Sequence, residues 1–134
     1  MRKLTRKGAV KKCLNMWSLC VRERDKKCVL CGNTVNGLEA HHGIAARGKG
    51  VGEHWFMLLN GFSLDFPCHM LVHSRIGDKS LLEKWFALVD RMVTKEQQEE
   101  IIRARHKVMK YTIADLEGIY ENLAKEYDRI RGER

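Results

Sequence analysis

The run Asn60-Gly61-Phe62-Ser63-Leu64-Asp65-Phe66-Pro67-Cys68-His69-Met70-Leu71-Val72-His73 decides the fold of this chain. Its first half closes an extended segment predicted from Trp55 to Leu64, with Asn60 inside it. Pro67 suits the first turn of a helix running to about Arg75, where its fixed φ and missing N–H do no harm. In that helix His69 and His73 stand at i and i+4, about 40° apart around the axis, so both rings leave one face. This is a standard way to hold a divalent metal. An isolated pair of this kind is more often two surface histidines, so its neighbours decide.

Upstream, Leu38 to His42 reads as a short strand carrying Glu39-Ala40-His41-His42. Neighbouring strand residues point to opposite faces, so one histidine can bind metal while the other faces another part of a cleft. For both to reach one phosphate, the strand must bend, bulge or end there, and Gly43 makes such a break reasonable. A glycine-rich loop, Gly43 to Gly52, carries Arg47 and Lys49. Before the strand, Cys28-Val29-Leu30-Cys31-Gly32 reads as a cysteine turn, followed by a polar turn from Asn33 to Gly37. Phosphodiester hydrolysis needs an activated water, neutralised phosphate charge and help for the leaving oxygen. A metal supplies the last two, and a positioned histidine supplies the first. The ring of such a base must be held, which suits an asparagine amide or a backbone carbonyl.

The order His-His, Asn, Cys-His-x-x-x-His, preceded by Cys-x-x-Cys, resembles the HNH (ββα-metal) endonuclease family from about Val21 to His73. Asn60 to His69 matches in register the family's Asn-Gly-x-x-x-Cys-x-x-Cys-His segment, and the whole is most similar to small bacteriophage HNH proteins, including recombination-associated ones. The resemblance implies an α+β fold: a ββα-metal core with an N-terminal helix and a helical C-terminal extension. It implies His41, His69 and His73 as ligands of one catalytic divalent metal, His42 as general base, and Asn60 as the group that orients His42 or approaches the metal. Arg47 is a candidate for gripping the scissile phosphate, with loop solubility an equal reading. Glu39 and His54 are candidates for supporting the site, His54 more simply as an ordinary loop histidine. Three imidazoles favour Zn²⁺ or Ni²⁺ by affinity, while turnover can still depend on Mg²⁺ or Mn²⁺.

Many relatives hold a structural zinc between two Cys-x-x-Cys knuckles. Here Cys28 and Cys31 form the first, but the second reads Asp65 and Cys68. Three readings stand. Cys28, Cys31, Asp65 and Cys68 hold Zn²⁺; or Asp65 caps the helix near Pro67; or the cysteines form a reduced packed cluster without metal. The zinc reading is preferred, because a structural ion adds on the order of 10 kcal/mol to folding.

The remainder reads as helix. Residues 1–8 form a basic arm. Val10 to Arg24 is amphipathic, with Val10, Leu14, Trp17 and Cys20 or Val21 on one face and with Cys13 and Cys20 as buried small hydrophobes. Capping boxes at Ser80-Leu81-Leu82-Glu83 and Thr94-Lys95-Glu96-Gln97 open helices to about Val93 and Lys110, and Thr112 caps another. Its seam of Ile113, Leu116, Tyr120, Leu123, Tyr127 and Ile130 serves packing within the chain or a homodimer through the C-terminal helices. Residues 1–78 are expected to hold the arm, first helix and core, and 79–134 the extension, as one structural unit.

The chain has 134 residues and a net charge of +8, which favours a polyanionic partner, here DNA contacted mainly through phosphates. No stretch is long and apolar enough for a membrane span, and no apolar signal core follows the basic N-terminus, so a cytoplasmic protein with reduced cysteines is expected. A metal-dependent DNA endonuclease is the leading function. A non-catalytic zinc-stabilised DNA-binding or assembly module is the alternative, though it has no need of His42 and Asn60 beside the histidine pair.

Overall fold

The computed structural model describes residues 4–34, 37–74 and 79–133. Helix α1 (Arg6–Asp25) starts where the Thr5 hydroxyl accepts the Gly8 N–H at 3.0 Å. The expected basic arm is therefore shorter: Arg6 to Gly8 belong to the first helical turn, and residues 1–3 lie outside the described residues. The helix stops at Lys26, whose left-handed φ of 59° turns its N–H back onto the Arg22 carbonyl.

Strands β1 (Leu38–His42) and β2 (Gly61–Asp65) pair antiparallel, with Leu38 opposite Asp65, Ala40 opposite Ser63 and His42 opposite Gly61. Helix α2 (Phe66–Ser74) follows β2 without an intervening residue, and the Asp65 carboxylate accepts the Cys68 N–H at 2.9 Å. The result is the expected ββα core. The rest of the α2 reading, to Arg75, runs into residues 75–78, outside the described residues, as do residues 35 and 36 of the polar turn.

A two-stranded sheet leaves β2 an edge with unpaired backbone groups. Here α1 and its following turn supply partners. Asp25 accepts the Ser63 N–H at 3.0 Å, Val29 donates to the Ser63 carbonyl at 2.9 Å, and Arg24 donates to the carbonyls of Gly61 at 2.6 Å and Leu58 at 2.9 Å. Arg24 and Asp25 are themselves paired at 2.8 Å. A Cβ on Gly61 would lie 2.4 Å from Val21 and 2.8 Å from Trp17, so glycine is what lets β2 close onto α1. Before β2 the structure departs from the predicted extended run. Glu53–Trp55 and Leu58–Asn60 are 3₁₀ turns, closed by Trp55 N–H to Gly52 and Asn60 N–H to Met57, both at 3.1 Å. The apolar residues there serve different neighbours, which a strand's strict alternation does not allow.

Helices α3 (Lys79–Met92), α4 (Lys95–Arg105) and α5 (Ile113–Gly132) complete the chain. The Thr94–Gln97 box caps α4 as expected, and Thr112 caps α5 in a box with Asp115. Helix α3 already includes Lys79, so Ser80 lies inside it rather than at its cap. Helix α4 ends at Arg105 instead of near Lys110, where the chain turns out so that Met109 donates to the Val51 carbonyl at 3.0 Å.

Two apolar clusters hold this together. One joins Phe62 and Leu64 of β2 and Val72 of α2 to Trp85, Val89, Val93 and Ile101. The other joins Ala9, Cys13, Trp17, Cys20 and Val21 of α1 to Leu116, Leu123 and Ile130 of α5. The thiols of Cys13 and Cys20 donate to the carbonyls of Leu116 at 3.1 Å and Leu123 at 3.2 Å. Both contacts step forward together, so α1 and α5 run parallel. Leu116, Leu123 and Ile130 of the α5 seam thus pack on α1 within the chain, while Ile113 stays exposed. Leu116→Ala is expected to lower unfolding free energy by about 2–5 kcal/mol, as a fully buried leucine without room to collapse does. Chemical denaturation measures it, and a loss below about 0.5 kcal/mol, the range of an ordinary surface change, would mean the α1–α5 seam is not a packed core.

Candidate metal centre

Register and helix phase together build the histidine cluster. His41 pairs with Phe62 on β2, and the direct passage from β2 into α2 brings His69 and His73 beneath it. The ring centroids lie 4.9 Å (His41–His69), 4.8 Å (His41–His73) and 4.6 Å (His69–His73) apart. One ring nitrogen from each falls within 4.8 Å of the others. Imidazole nitrogens about 2.0–2.1 Å from one ion must converge in this way. Glu39 meets His69 Nδ1 at 3.2 Å, which leaves Nε2 as the free nitrogen and supplies the outer carboxylate that orients such a ligand. Burial, then the neighbouring histidines, hold His41 down to a pKa of about 3, so its ring is neutral and its lone pair available at neutral pH.

His42 ends β1 and turns the other way. Its ring stacks on Trp17 of α1, centroids 3.9 Å apart and planes within 6°. Its Nε2 lies 3.0 Å from the Trp55 carbonyl. A carbonyl only accepts, so Nε2 carries the proton and Nδ1 keeps the lone pair. Burial outweighs that carbonyl and, helped by Arg47 and His54, lowers the His42 pKa to about 4. Gly43 follows at once, where a Cβ would lie 2.6 Å from Phe62 and 2.9 Å from Trp85. The strand therefore ends at the histidine pair, and both rings line one cleft of about 550 Å³. Its walls are Leu14 and Trp17 of α1 and Leu82, Trp85 and Phe86 of α3, with Arg47 and Arg105 contributing positive charge.

Asn60 departs from the role that the resemblance implied. It is fully buried, and its carboxamide is saturated by backbone. Oδ1 accepts from Ile44 at 3.0 Å and Ala45 at 2.9 Å, and Nδ2 donates to Ala45 at 2.9 Å and His54 at 3.1 Å. Those four bonds exhaust an amide, so the Trp55 carbonyl and the Trp17 face hold His42 instead. Asn60 fastens the loop that follows the histidine pair. His54 does the same from below: it is buried, with Nε2 3.0 Å from the Ala46 carbonyl and 3.1 Å from that of Arg47. Trp55 Nε1 also donates to the Arg47 carbonyl at 2.8 Å, and the Arg47 guanidinium lies 5.3 Å from the Trp55 ring. Arg47 is thereby fixed at the cleft by its backbone.

A second cluster stands at the other end of α2's first turn. Single ligand atoms of Cys28, Cys31, Asp65 and Cys68 lie within 4.8 Å of one another. A left-handed Gly32, φ 81°, lets the knuckle close through Gly32 N–H to Cys28 at 2.8 Å. Asp65 caps the helix, as one of the expected readings had it, and also faces the thiols. Oδ1 caps α2, while Oδ2 accepts from Cys31 Sγ at 3.1 Å and Asn33 at 3.2 Å. The Cys31 thiol and the Cys68 N–H hold the Asp65 carboxyl down to about 2. Burial and that carboxylate push the Cys68 thiol up, the carboxylate and then burial push up Cys31, and backbone donors outweigh burial to bring Cys28 down. Three sulfurs and a carboxylate oxygen form an acceptable zinc set, and a bound cation draws such thiols to thiolate.

The site residues missed in the sequence are Trp17 as a ring support, the Trp55 carbonyl, and the α3 wall. Trp17 was legible only as a core position, because the periodicity that buries a side chain says nothing of what it touches. Searched against family models, curated proteins and solved structures, the chain matches none.

Cys31→Ser is expected to lower the melting temperature of zinc-loaded protein to that of chelator-treated wild type. Differential scanning fluorimetry checks this, and unchanged melting with and without chelator would remove the structural ion. In metal-free protein His41 and His42 bind protons more weakly folded than unfolded. Their contribution to stability is complete above about pH 6.5 and is lost as pH falls through the folded values, about 4 for His42 and about 3 for His41. Denaturation at a series of pH values should show stability falling from pH 6.5 downward, with a shallower slope in His42→Gln.

Proposed function

We propose that this protein is a DNA endonuclease of the HNH, ββα-metal type, hydrolysing phosphodiester bonds. The observation that carries the reading is a neutral histidine with its Nδ1 lone pair free, held beside three convergent imidazoles in one cleft. A divalent ion held by His41, His69 and His73 would supply charge neutralisation for the phosphate and the leaving oxygen.

The chain's own groups do the rest. His42 takes a proton from water at Nδ1 while Nε2–H stays on the Trp55 carbonyl. That carbonyl and the Trp17 face fix the ring, so no rotation has to be frozen as the proton moves. The phosphate's negative charge favours the imidazolium that forms, which raises the basicity of a ring whose burial had lowered it. Arg47 and Arg105 neutralise the strand that enters the cleft. Lys and Arg on the flanking segments hold DNA by its phosphates, in keeping with the chain's net charge of +8. Affinity for the ion favours Zn²⁺ or Ni²⁺, and turnover with Mg²⁺ or Mn²⁺ is compatible with the same ligands.

Supercoiled plasmid incubated with protein and Mg²⁺, Mn²⁺, Ni²⁺ or Zn²⁺ is expected to be nicked. His42→Ala should lower the rate at least about a hundredfold, the low end for a lost general base, while DNA binding persists. Cleavage at the wild-type rate by the variant would overturn the base assignment, and no cleavage by folded, metal-loaded wild type would favour the binding module.

A further inference from the structure

Eleven large apolar side chains are exposed among the described residues, and one of them, Phe86, lines the histidine cleft. Its position is set by its neighbour. Trp85 is buried against His41 at 5.7 Å and Phe62 at 5.1 Å between ring centroids, which fixes the rotation of α3. Trp85 and Val89 supply the buried face of that helix. Phe86, one step further round, belongs to neither apolar cluster among the described residues and stands 57 % exposed, with Leu82 one turn back on the same wall. The packing of α3 does not account for an aromatic ring there.

Resting on the nuclease reading, we propose that the cleft selects DNA in which a nucleotide beside the scissile phosphate is unpaired, with its base stacked on Phe86. Three properties fit that occupant. The cleft, at about 550 Å³, falls in the size range that takes one small-molecule ligand, and a single nucleotide is of that size. It presents cations, Arg47 and Arg105, alongside the metal-binding histidines that would meet the phosphate. It also offers an open aromatic face, and base–aromatic stacking is how proteins hold unpaired bases with little regard to sequence. Bases stacked inside an intact duplex have no face to offer Phe86. The preferred substrates are therefore single strands, flaps and branch points rather than continuous duplex.

The test compares a short single-stranded oligonucleotide with the fully paired duplex of the same sequence at one salt concentration. Binding is followed by fluorescence anisotropy in a metal-loaded His42→Gln background, and cleavage of both with His42 intact. The single strand is expected to bind more tightly. Phe86→Ala should shrink that preference about tenfold, in line with the loss of one stacked base, and Phe86→Trp should retain it. Ile102→Ala, an exposed apolar residue outside the cleft, should leave it unchanged. Equal binding of the two forms, a preference that survives Phe86→Ala, or an equal loss in Ile102→Ala overturns the proposal. A Phe86-dependent preference without cleavage of either form overturns the nuclease reading and leaves the stacking site standing. Cleavage without the preference does the reverse.

Discussion

The bond from the Cys68 N–H to the Asp65 carboxylate ties the end of a strand to the start of a helix with no residue between them. Both candidate metal clusters depend on that junction. Strand register decides which residues of β1 face the helix. The cap decides at what angle the helix leaves. Together they set His69 and His73 under His41, and Cys68 beside the Cys28–Cys31 knuckle. The same carboxylate presents its other oxygen to the Cys31 thiol, so one side chain links the strand–helix junction to the sulfur cluster. A cysteine in that place could ligate a metal but could not cap the helix as a carboxylate does.

Around this junction, α1 acts as a brace. Its last residues, Arg24 and Asp25, complete the open edge of β2, and its middle, Trp17, closes on His42. Helix α5 in turn packs on the stripe of α1 that carries Ala9, Cys13, Trp17 and Cys20. The His42 ring is therefore held by a helix that α5 packs against, while α3 of the same extension lines the cleft with Leu82, Trp85 and Phe86. Burial lowers the pKa of His42 to about 4; under the proposed function, a phosphate in the cleft would raise it again.

Much of this was legible in the sequence. Strand β1, the start of α2, the Thr94 and Thr112 caps and the shared face of His69 and His73 follow from spacing, because such groups act through short fixed offsets, while the resemblance implied the full membership of both clusters. What was not legible depends on the third dimension. Asn60 was expected on His42, yet its amide is saturated by the loop backbone, and no local pattern distinguishes an amide that holds a ring from one that holds a turn. The run before β2 looked extended because it is apolar, but its side chains go to several neighbours and the backbone coils to allow it. Phe86 lay in a helix read only from its capping box, and only the packing of Trp85 shows that it faces the cleft.

We propose that α2 contributes to two separate metal sites of different chemistry, Cys68 to a thiolate set and His69 and His73 to an imidazole set. Titration of metal-free protein with Co²⁺, followed by absorption, tests it directly. Two phases are expected. One carries sulfur-to-cobalt charge transfer and is removed by Cys31→Ser, and the other lacks it and is removed by His73→Ala. A single phase, or one that either substitution abolishes entirely, would contradict the account.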